Sequence, residues 1–381
     1  MIFETPQVDE RESEVLAHIE DLRRQLRLWV AERRRWTGVL RRMSFARQIQ
    51  ASNSIEGYNS TLDDAVAIVE GEDPLDATEE TRLALQGYRQ AMTYVLQLAD
   101  DPHFTYSTDL LKSLHFMMIS HQLDKSPGRY RLGYVYVRND ATGEIVYEGP
   151  DAERVPSLVA ELVDSLNDVD PSVPVMVRGA MAHLNLVLVH PFRDGNGRMA
   201  RGLQTLVLAR EAILSPEFCS IEEYLGRNTA SYYQVLADVG RGYWQPENDA
   251  RPWVRYCLKA HYVQARTLLR RIKESERLWE ILAEETSRHR LPERTVSALF
   301  EAARGFRVRN ATYRPLGDVT EQTATRDLKQ LVASGLLVPK GERRGRHYVA
   351  SDRLRALRAK SLEVRVPIDD PFAASPTFDA S

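Results

Sequence analysis

Residues 190–201 read His190-Pro191-Phe192-Arg193-Asp194-Gly195-Asn196-Gly197-Arg198-Met199-Ala200-Arg201. His190 is the residue in this stretch able to take a proton near neutral pH. Pro191 disfavours a helical conformation at His190, so the apolar segment before it must end as a helix near Val189. Gly195, Asn196 and Gly197 are types that tolerate positive φ. A new helix follows from about Asn196 to Arg198, and successive N–H groups at such a start form a concave anion site. Arg198 and Arg201, three apart, share a helix face directed back at that site. Asp194 suits a divalent cation held between phosphate oxygens. A base, a metal ligand, a phosphate cradle and two charge clamps suit attack by a hydroxyl on a phosphate ester.

The elements that must position these groups are mostly helical. Apolar residues from Val15 to Ile49 recur at three and four among many arginines, which predicts one amphipathic helix or two in series. Leu62–Ile68, Thr81–Leu98 and the segment from Tyr106 through Met117 and Met118 continue the pattern. Two β-prone runs, Tyr134–Val137 and Glu144–Tyr147, flank the polar connector Asn139–Gly143 and predict a small hairpin. Helix returns at Ala152–Leu166 and at about Pro174–Val189, with Pro174 in the first turn. This last segment has almost no polar face and belongs at the centre of a domain, and His183 inside it reads as structural.

The chain has 381 residues, 43% of them hydrophobic and 28% charged, enough for two or three domains with a sizeable core. A net charge of −3 makes the whole molecule no obvious polyanion binder. Cys219 and Cys257 make neither a disulfide framework nor a zinc site. The start, Met1-Ile2-Phe3-Glu4, lacks the flank and apolar run of a leader, and no stretch approaches the roughly 18–20 apolar residues of a membrane span. A soluble cytoplasmic chain without membrane contact is expected.

At every defining position the 190–201 loop resembles the signature of the Fic family, His-x-Phe-x-Asp/Glu-Gly-Asn-Gly-Arg-x-x-Arg. The resemblance covers roughly residues 45–260. It implies a helical-bundle core with a β-hairpin flap and transfer of AMP from ATP to a Ser, Thr or Tyr hydroxyl of a target protein, and of the chain itself. It implies His190 as the base, Asp194 as the Mg²⁺ ligand, and Gly195, Asn196 and Gly197 on the α- and β-phosphates with Arg198 beside them. Arg201 would grip the γ-phosphate, and Phe192 would anchor the loop in the core. The flap residues Val146, Tyr147, Glu148 and Gly149 would position the target. Asn228, Tyr232 and Tyr233 resemble the region that closes over the adenine, and the two tyrosines read equally as base-stacking or as helix-packing residues. Some relatives transfer UMP, phosphocholine or phosphate, so UTP or GTP stays open as the donor.

Ser52-Asn53-Ser54-Ile55-Glu56-Gly57 resembles the family's inhibitory motif, Ser/Thr-x-x-x-Glu-Gly/Asn. A helix bringing Glu56 to Arg201 would form a charge-assisted, bidentate pair and withhold Arg201 from ATP. The alternative is a helix-end carboxylate facing solvent. A homodimer would be one way to hold such a helix in place.

Residues 288–350 carry 13 Lys/Arg and 6 Asp/Glu, a net of +7. A helix over Thr295–Ala303, a second over Glu321–Ala333 capped by Thr320 and ended by Gly335, and a hairpin through Leu336–Val338 and His347–Val349 resemble a winged helix-turn-helix. Arg343, Arg344 and Arg346 at its tip could meet phosphate oxygens, and Thr323, Thr325 and Arg326 lie where a recognition helix reads a groove. Glu321 and Asp327 lower that attraction, and protein contacts are the competing use. The expected organisation is an N-terminal helical region 1–105 carrying the brake, a Fic core 106–250, a helical connector 251–287, a winged module 288–352 and a partly disordered tail 353–381. A DNA-binding regulator whose Fic part senses nucleotide is the alternative to a transferase.

Overall fold

Two consecutive helices separated by the His190 loop form the centre of the computed structural model. The structure describes all residues except 32–35, 139–144, 212–219, 343–344 and 374–381. The hairpin connector, Cys219, Arg343 and Arg344 therefore lie outside the described residues. The helices in chain order begin with α1 (Glu10–Ala31), α2 (Thr37–Ile55), α3 (Leu62–Glu70), α4 (Glu79–Ala99) and α5 (Thr108–Ile119). After the strands β1 (Tyr136–Arg138) and β2 (Ile145–Glu148) come α6 (Val155–Asn167), α7 (Val175–Val189) and α8 (Asn196–Arg210). Then follow α9 (Glu222–Arg227), α10 (Thr229–Gly240) and the long α11 (Arg251–Arg288). The C-terminal part holds α12 (Val296–Ala303), α13 (Asn310–Gly317), α14 (Glu321–Ala333), β3 (Leu337–Lys340), β4 (His347–Ala350) and α15 (Asp352–Ser361). No helix among the described residues is long and apolar enough to cross a membrane.

The chain divides into two compact units. The first comprises Met1–Arg24, Ser44–Arg266 and Ile368–Ser381, the second Gln25–Met43 and Thr267–Pro367. In the first, α7 is buried on nearly every side, as its uniformly apolar sequence requires. α7 and α8 pack together, and α4, α5 and α6 complete one hydrophobic core with Leu186, Val189, Phe192, Met199 and Leu203 at its middle. Polar caps fix the helix starts around it. Thr61 and Asp64 form a reciprocal capping box on α3, and Ser107 accepts from Leu110 N at the start of α5. Pro174 precedes the first turn of α7 as its N-cap instead of lying inside it. β1 and β2 pair antiparallel as expected, with an irregularity between Val137 and Arg138.

The second unit contains α12, α13, α14 and the antiparallel β3–β4 hairpin, to which Val308 adds a bridge at Tyr348. Thr320 caps α14, and Gly335 turns out of it at φ 69°. α13 lies between the two helices expected from the sequence and holds Pro315 inside it. Asp327 does not weaken the outer face of α14. It is fully buried, with Arg294 donating to both its oxygens at 2.7 and 3.0 Å and the Tyr313 hydroxyl at 3.0 Å. The region after residue 352 begins with an ordered helix, α15, capped by Ser351.

Candidate active site around the His190 loop

The end of α7 sets the position of His190. Its N–H still reaches Leu186 O at 3.1 Å, but its own φ and ψ are 50° and 58°, in the left-handed region that a non-glycine residue rarely occupies. Pro191 prevents the helix from continuing, and the turn throws the imidazole out of the helix axis. Nδ1 lies 3.1 Å from Val187 O, so this nitrogen carries the proton and Nε2 presents its lone pair. Burial lowers the His190 pKa, and Arg131 lowers it further against the raising influence of Val187 O, Glu56 and Asp194. The ring is therefore neutral, and able to accept a proton, at neutral pH.

The loop is held shut by its own side chains. Asn196 accepts from Phe192 N and donates to Phe192 O, both at 2.9 Å, so its amide closes the turn and does not face outward. Phe192 is fully buried and stacks on His115 at 3.7 Å between centroids, 6° from parallel. His115 Nδ1 accepts from Gly128 N at 2.8 Å, which leaves Nε2–H to donate to Asp194 O at 2.9 Å. Burial pushes the His115 pKa down to about 4, so that tautomer persists at neutral pH. Arg131 secures the other side, with Nε on His190 O at 2.8 Å, Nη1 on Gly133 O at 2.8 Å and Nη2 on Pro150 O. Neither residue was singled out from the sequence, since a lone histidine and a lone arginine far from the loop carry no spacing signal.

Gly195 stands at φ 76° and starts α8, while Gly197 is needed for a different reason. A Cβ there would lie 2.5 Å from Glu56 Oε1 and 3.0 Å from Arg201 Nη1. The first turn of α8 is where a helix leaves its N–H groups without intrahelical partners and its dipole favours an anion. Arg198 and Arg201 are buried beside that turn. Nε, Nη1 and Nη2 of Arg198 and Nη1 of Arg201 have no hydrogen-bond partner. Arg198 stands 5.2 Å from the Tyr58 ring and 3.8 Å from Asp194 Oδ1. Two buried guanidinium groups with unused donors, next to a helix N-terminus, are a costly arrangement unless an anion is to be bound there. Asp194 lies at the rim, its Oδ1 accepting from Gly195 N at 2.5 Å and its Oδ2 3.9 Å from Lys125 Nζ.

Glu56 reaches this place from the end of α2. Gly57 N bonds to Ser54 O at 3.1 Å and Tyr58 N to Asn53 O at 3.0 Å, a Schellman closure that needs Gly57 at φ 87°. Arg201 Nη2 donates to Glu56 Oε1 at 2.6 Å. The pair is not the bidentate fork expected from the sequence. Arg201 Nε instead donates to Ser52 Oγ at 2.8 Å, and Nη2 also reaches Ser52 O at 2.9 Å. Burial opposes a charge on Glu56, but Arg201 and Arg198 outweigh it and hold the carboxyl below its ordinary value. Glu56 thus sits unfavourably at the C-terminus of its own helix and favourably over the N-terminus of α8.

The remaining candidates separate. Tyr232 is buried, its hydroxyl 3.0 Å from His183 Nε2 and its ring 6.0 Å from that of Trp253, so it packs the core and offers no face to a base. His183, also 2.8 Å from Gln204 Oε1, is structural as read. Tyr233 is partly exposed, with its hydroxyl 3.4 Å from Ile55 O at the end of α2. Asn228 joins α9 to α10, donating to Tyr224 O at 2.8 Å. In the flap, Val146 is exposed, whereas Tyr147 is buried with its hydroxyl on Leu188 O at 2.7 Å. Tyr147 anchors the flap and does not present a contact surface. Glu148 N bonds to Gly242 O at 2.8 Å, and Gly149 N to Val135 O at 3.3 Å. A Cβ on Gly149 would come within 3.7 Å of His190 Cβ, so the flap ends beside the loop. Tyr232→Phe is therefore expected to lower stability by about 1 kcal/mol and leave ATP affinity unchanged. Tyr233→Ala is expected to weaken ATP binding with little change in melting. Calorimetric titration and thermal melting of both variants check the distinction.

Residues 105–208 match the family model described as the Fic/DOC family. Protein adenylyltransferase fic-1 of Caenorhabditis briggsae is 34% identical over 163 residues, which is 42% of this chain and 28% of that protein. Protein adenylyltransferase Fic of Nematostella vectensis is 27% identical over 223 residues, 57% of this chain and 47% of that one. The chain spans less than half the length of these curated relatives. Among solved structures, a Fic family protein from Desulfovibrio desulfuricans is similar over 91% of this chain and 98% of its own, with a TM-score of 0.60 at 22% identity. Fic-1 from C. elegans is similar over 69% and 73%, with a TM-score of 0.54 at 26% identity.

Proposed function

We propose, from the premise that the chain carries a Fic domain over residues 105–208, that it is an autoinhibited protein adenylyltransferase. The observation that carries this reading is the set of unused buried donors of Arg198 and Arg201 beside the α8 N-terminus, next to a neutral His190 whose Nε2 lone pair is presented. In the proposed reaction a target hydroxyl gives its proton to His190 Nε2 while its oxygen forms a bond to the α-phosphorus of ATP. The bond from that phosphorus to the bridging oxygen breaks, and pyrophosphate leaves. The first-turn N–H groups of Asn196 and Gly197 and the Arg198 guanidinium bind the phosphate oxygens and oppose the charge that develops there, while Gly195, its N–H held by Asp194 Oδ1, shapes the turn. Arg201, once free of Glu56, holds the terminal phosphate. Asp194 fits Mg²⁺, which takes one or two carboxylates and completes its shell with phosphates and water, and which would neutralise phosphate charge. Val146, Glu148 and Gly149 at the flap position the target backbone, and a hydroxyl of the chain itself is an additional acceptor. The test is stoichiometry. One pyrophosphate should be released per hydroxyl modified, and release of inorganic phosphate alone would contradict the reading.

The lowered His190 pKa has a consequence for rate. The folded value lies below 6.5, so the neutral base is present throughout the neutral range and is lost only as pH falls through that lower value. In the Glu56→Gly variant a neighbour that raises this pKa is gone, and the inflection moves lower still. A single-turnover pH profile should have its acid inflection below 6.5, and an inflection above 6.5 would contradict the assignment.

The donor is proposed to be ATP, with Tyr233 as the partly exposed aromatic near the loop. A second reading concerns the C-terminal unit, proposed as a winged helix-turn-helix. Gln322, Arg326, Lys329 and Gln330 form an exposed polar and basic face of α14, and burial of Asp327 removes the nearest opposing charge. Duplex binding that weakens steeply with salt and by about tenfold in Arg326→Ala is expected. Salt-independent behaviour would assign the face to protein contacts.

A further inference from the structure

The brake depends on where α2 sits, and the contacts that fix α2 lie away from the loop. Gln48 and Ser52 are four apart and share a face of that helix, with Ala51 between them. That face meets Glu222, at the start of α9. Gln48 Nε2 donates to Glu222 Oε1 at 2.7 Å, and the Tyr88 hydroxyl donates to Glu222 Oε2 at 2.7 Å. The Thr205 hydroxyl also donates to Glu222 Oε1 at 3.5 Å, and Ser52, which accepts from Arg201 Nε, lies on the same face of α2. Glu222, Gln48, Ser52 and Tyr88 are all buried, and the proposed chemistry uses none of them. Burial raises the Glu222 pKa, against the donors gathered on it and the charge of Arg201. An acid enclosed at such cost needs those donors to stay in place.

A second contact stands one turn further along α9. Gly226 lies so close to α2 that an added Cβ would be 3.0 Å from Ala51 Cβ and 3.2 Å from Ala51 Cα and O. The glycine permits close packing, and no positive φ is recorded for it. Glu222 and Gly226 therefore fix the same stretch of α2, one by hydrogen bonds and the other by contact.

We propose that α9, through Glu222 and Gly226, is the seat that holds the inhibitory helix in register with Arg201, and that Glu222 is a positioning residue for the brake, an inference that rests on Glu56 being inhibitory. A shift of α2 by a few tenths of an ångström would lengthen the Glu56–Arg201 contact, now 2.6 Å, while leaving the His190 loop untouched. Disturbing the seat should therefore raise activity, whereas ordinary structural damage lowers it.

The experiment uses the full chain and reads label from α-labelled ATP on protein, with thermal melting alongside. It compares wild type, Glu56→Gly, Gln48→Ala, Gly226→Ala, Glu222→Ala and the double variant Glu56→Gly/Gly226→Ala. Gln48→Ala and Gly226→Ala should each raise transfer roughly five- to tenfold over wild type, below the level of Glu56→Gly. Gly226→Ala added to Glu56→Gly should change nothing, because no brake is left to displace. Glu222→Ala leaves three buried donors unpaired and is the variant at most risk of unfolding, so Gln48→Ala and Gly226→Ala decide the matter. Wild-type rates in those two, beside a raised Glu56→Gly, overturn the seat and leave the brake standing. No gain in Glu56→Gly overturns the brake, and the seat with it.

Discussion

Exchange of Glu56 for glycine is expected to raise AMP transfer by on the order of a hundredfold, within the range of coupling energies between linked sites. The carboxylate occupies the space over Gly197 and takes Nη2 of Arg201, so in the proposed mechanism it competes with the terminal phosphate for that arginine. The same exchange should lower stability. It leaves the buried Arg201 guanidinium without its carboxylate partner, and breaking a pair of this kind costs about 3–5 kcal/mol. An anion in the site would restore much of it, so ATP should raise the melting temperature of Glu56→Gly more than that of wild type. Acid is not an alternative release. The Glu56 carboxyl is held below its ordinary 4.5, so the stability it contributes is present above that value and lost only as pH falls through the lower folded value. At neutral pH, where His190 is a neutral base, Glu56 therefore stays charged and the proposed brake holds. Transfer assays and melting curves with and without ATP check both halves of this prediction.

Replacing His190 by alanine in the Glu56→Gly background is expected to reduce transfer by about 10²–10⁴-fold while ATP still binds. The phosphate donors all lie on α8 and its first turn, and none depends on the imidazole. His190 Nδ1 is committed to Val187 O, which fixes the tautomer, so the loss is of the proton acceptor at Nε2 and not of loop geometry. Calorimetric titration of the double variant with ATP beside its transfer rate separates the two. Equal losses in binding and rate would place His190 in the nucleotide site instead.

The loop was legible in the sequence because its chemistry is local. Pro191 stops one helix, Gly195 starts the next, and the arginines follow at helical spacing. Phe192 and Glu56 ended where the family resemblance placed them, one in the core and one on Arg201. What could not be read is what long-range packing decides. His115 lies 79 positions from Asp194, and Arg131 lies 59 from His190, yet both hold the loop. Tyr232 and Tyr233 are neighbours of one type, and only the helix face each occupies tells the core residue from the partly exposed one. The burial of Glu222 against Gln48 and Tyr88 appears only once α2, α4 and α9 are together. α13 holds Pro315, which a short helix tolerates when its neighbours supply the packing.

In the proposed reaction an AMP group, and no other part of ATP, moves to a hydroxyl. This transfer is tested most directly by incubating the Glu56→Gly chain with Mg²⁺ and ATP labelled at either the α- or the γ-phosphate, then measuring label retained on denatured protein. The α-label should stay on the protein, the γ-label should leave as pyrophosphate, and His190→Ala should retain neither. Retention of the γ-label would make the chain a phosphotransferase and contradict the proposed orientation of ATP between Arg198 and Arg201.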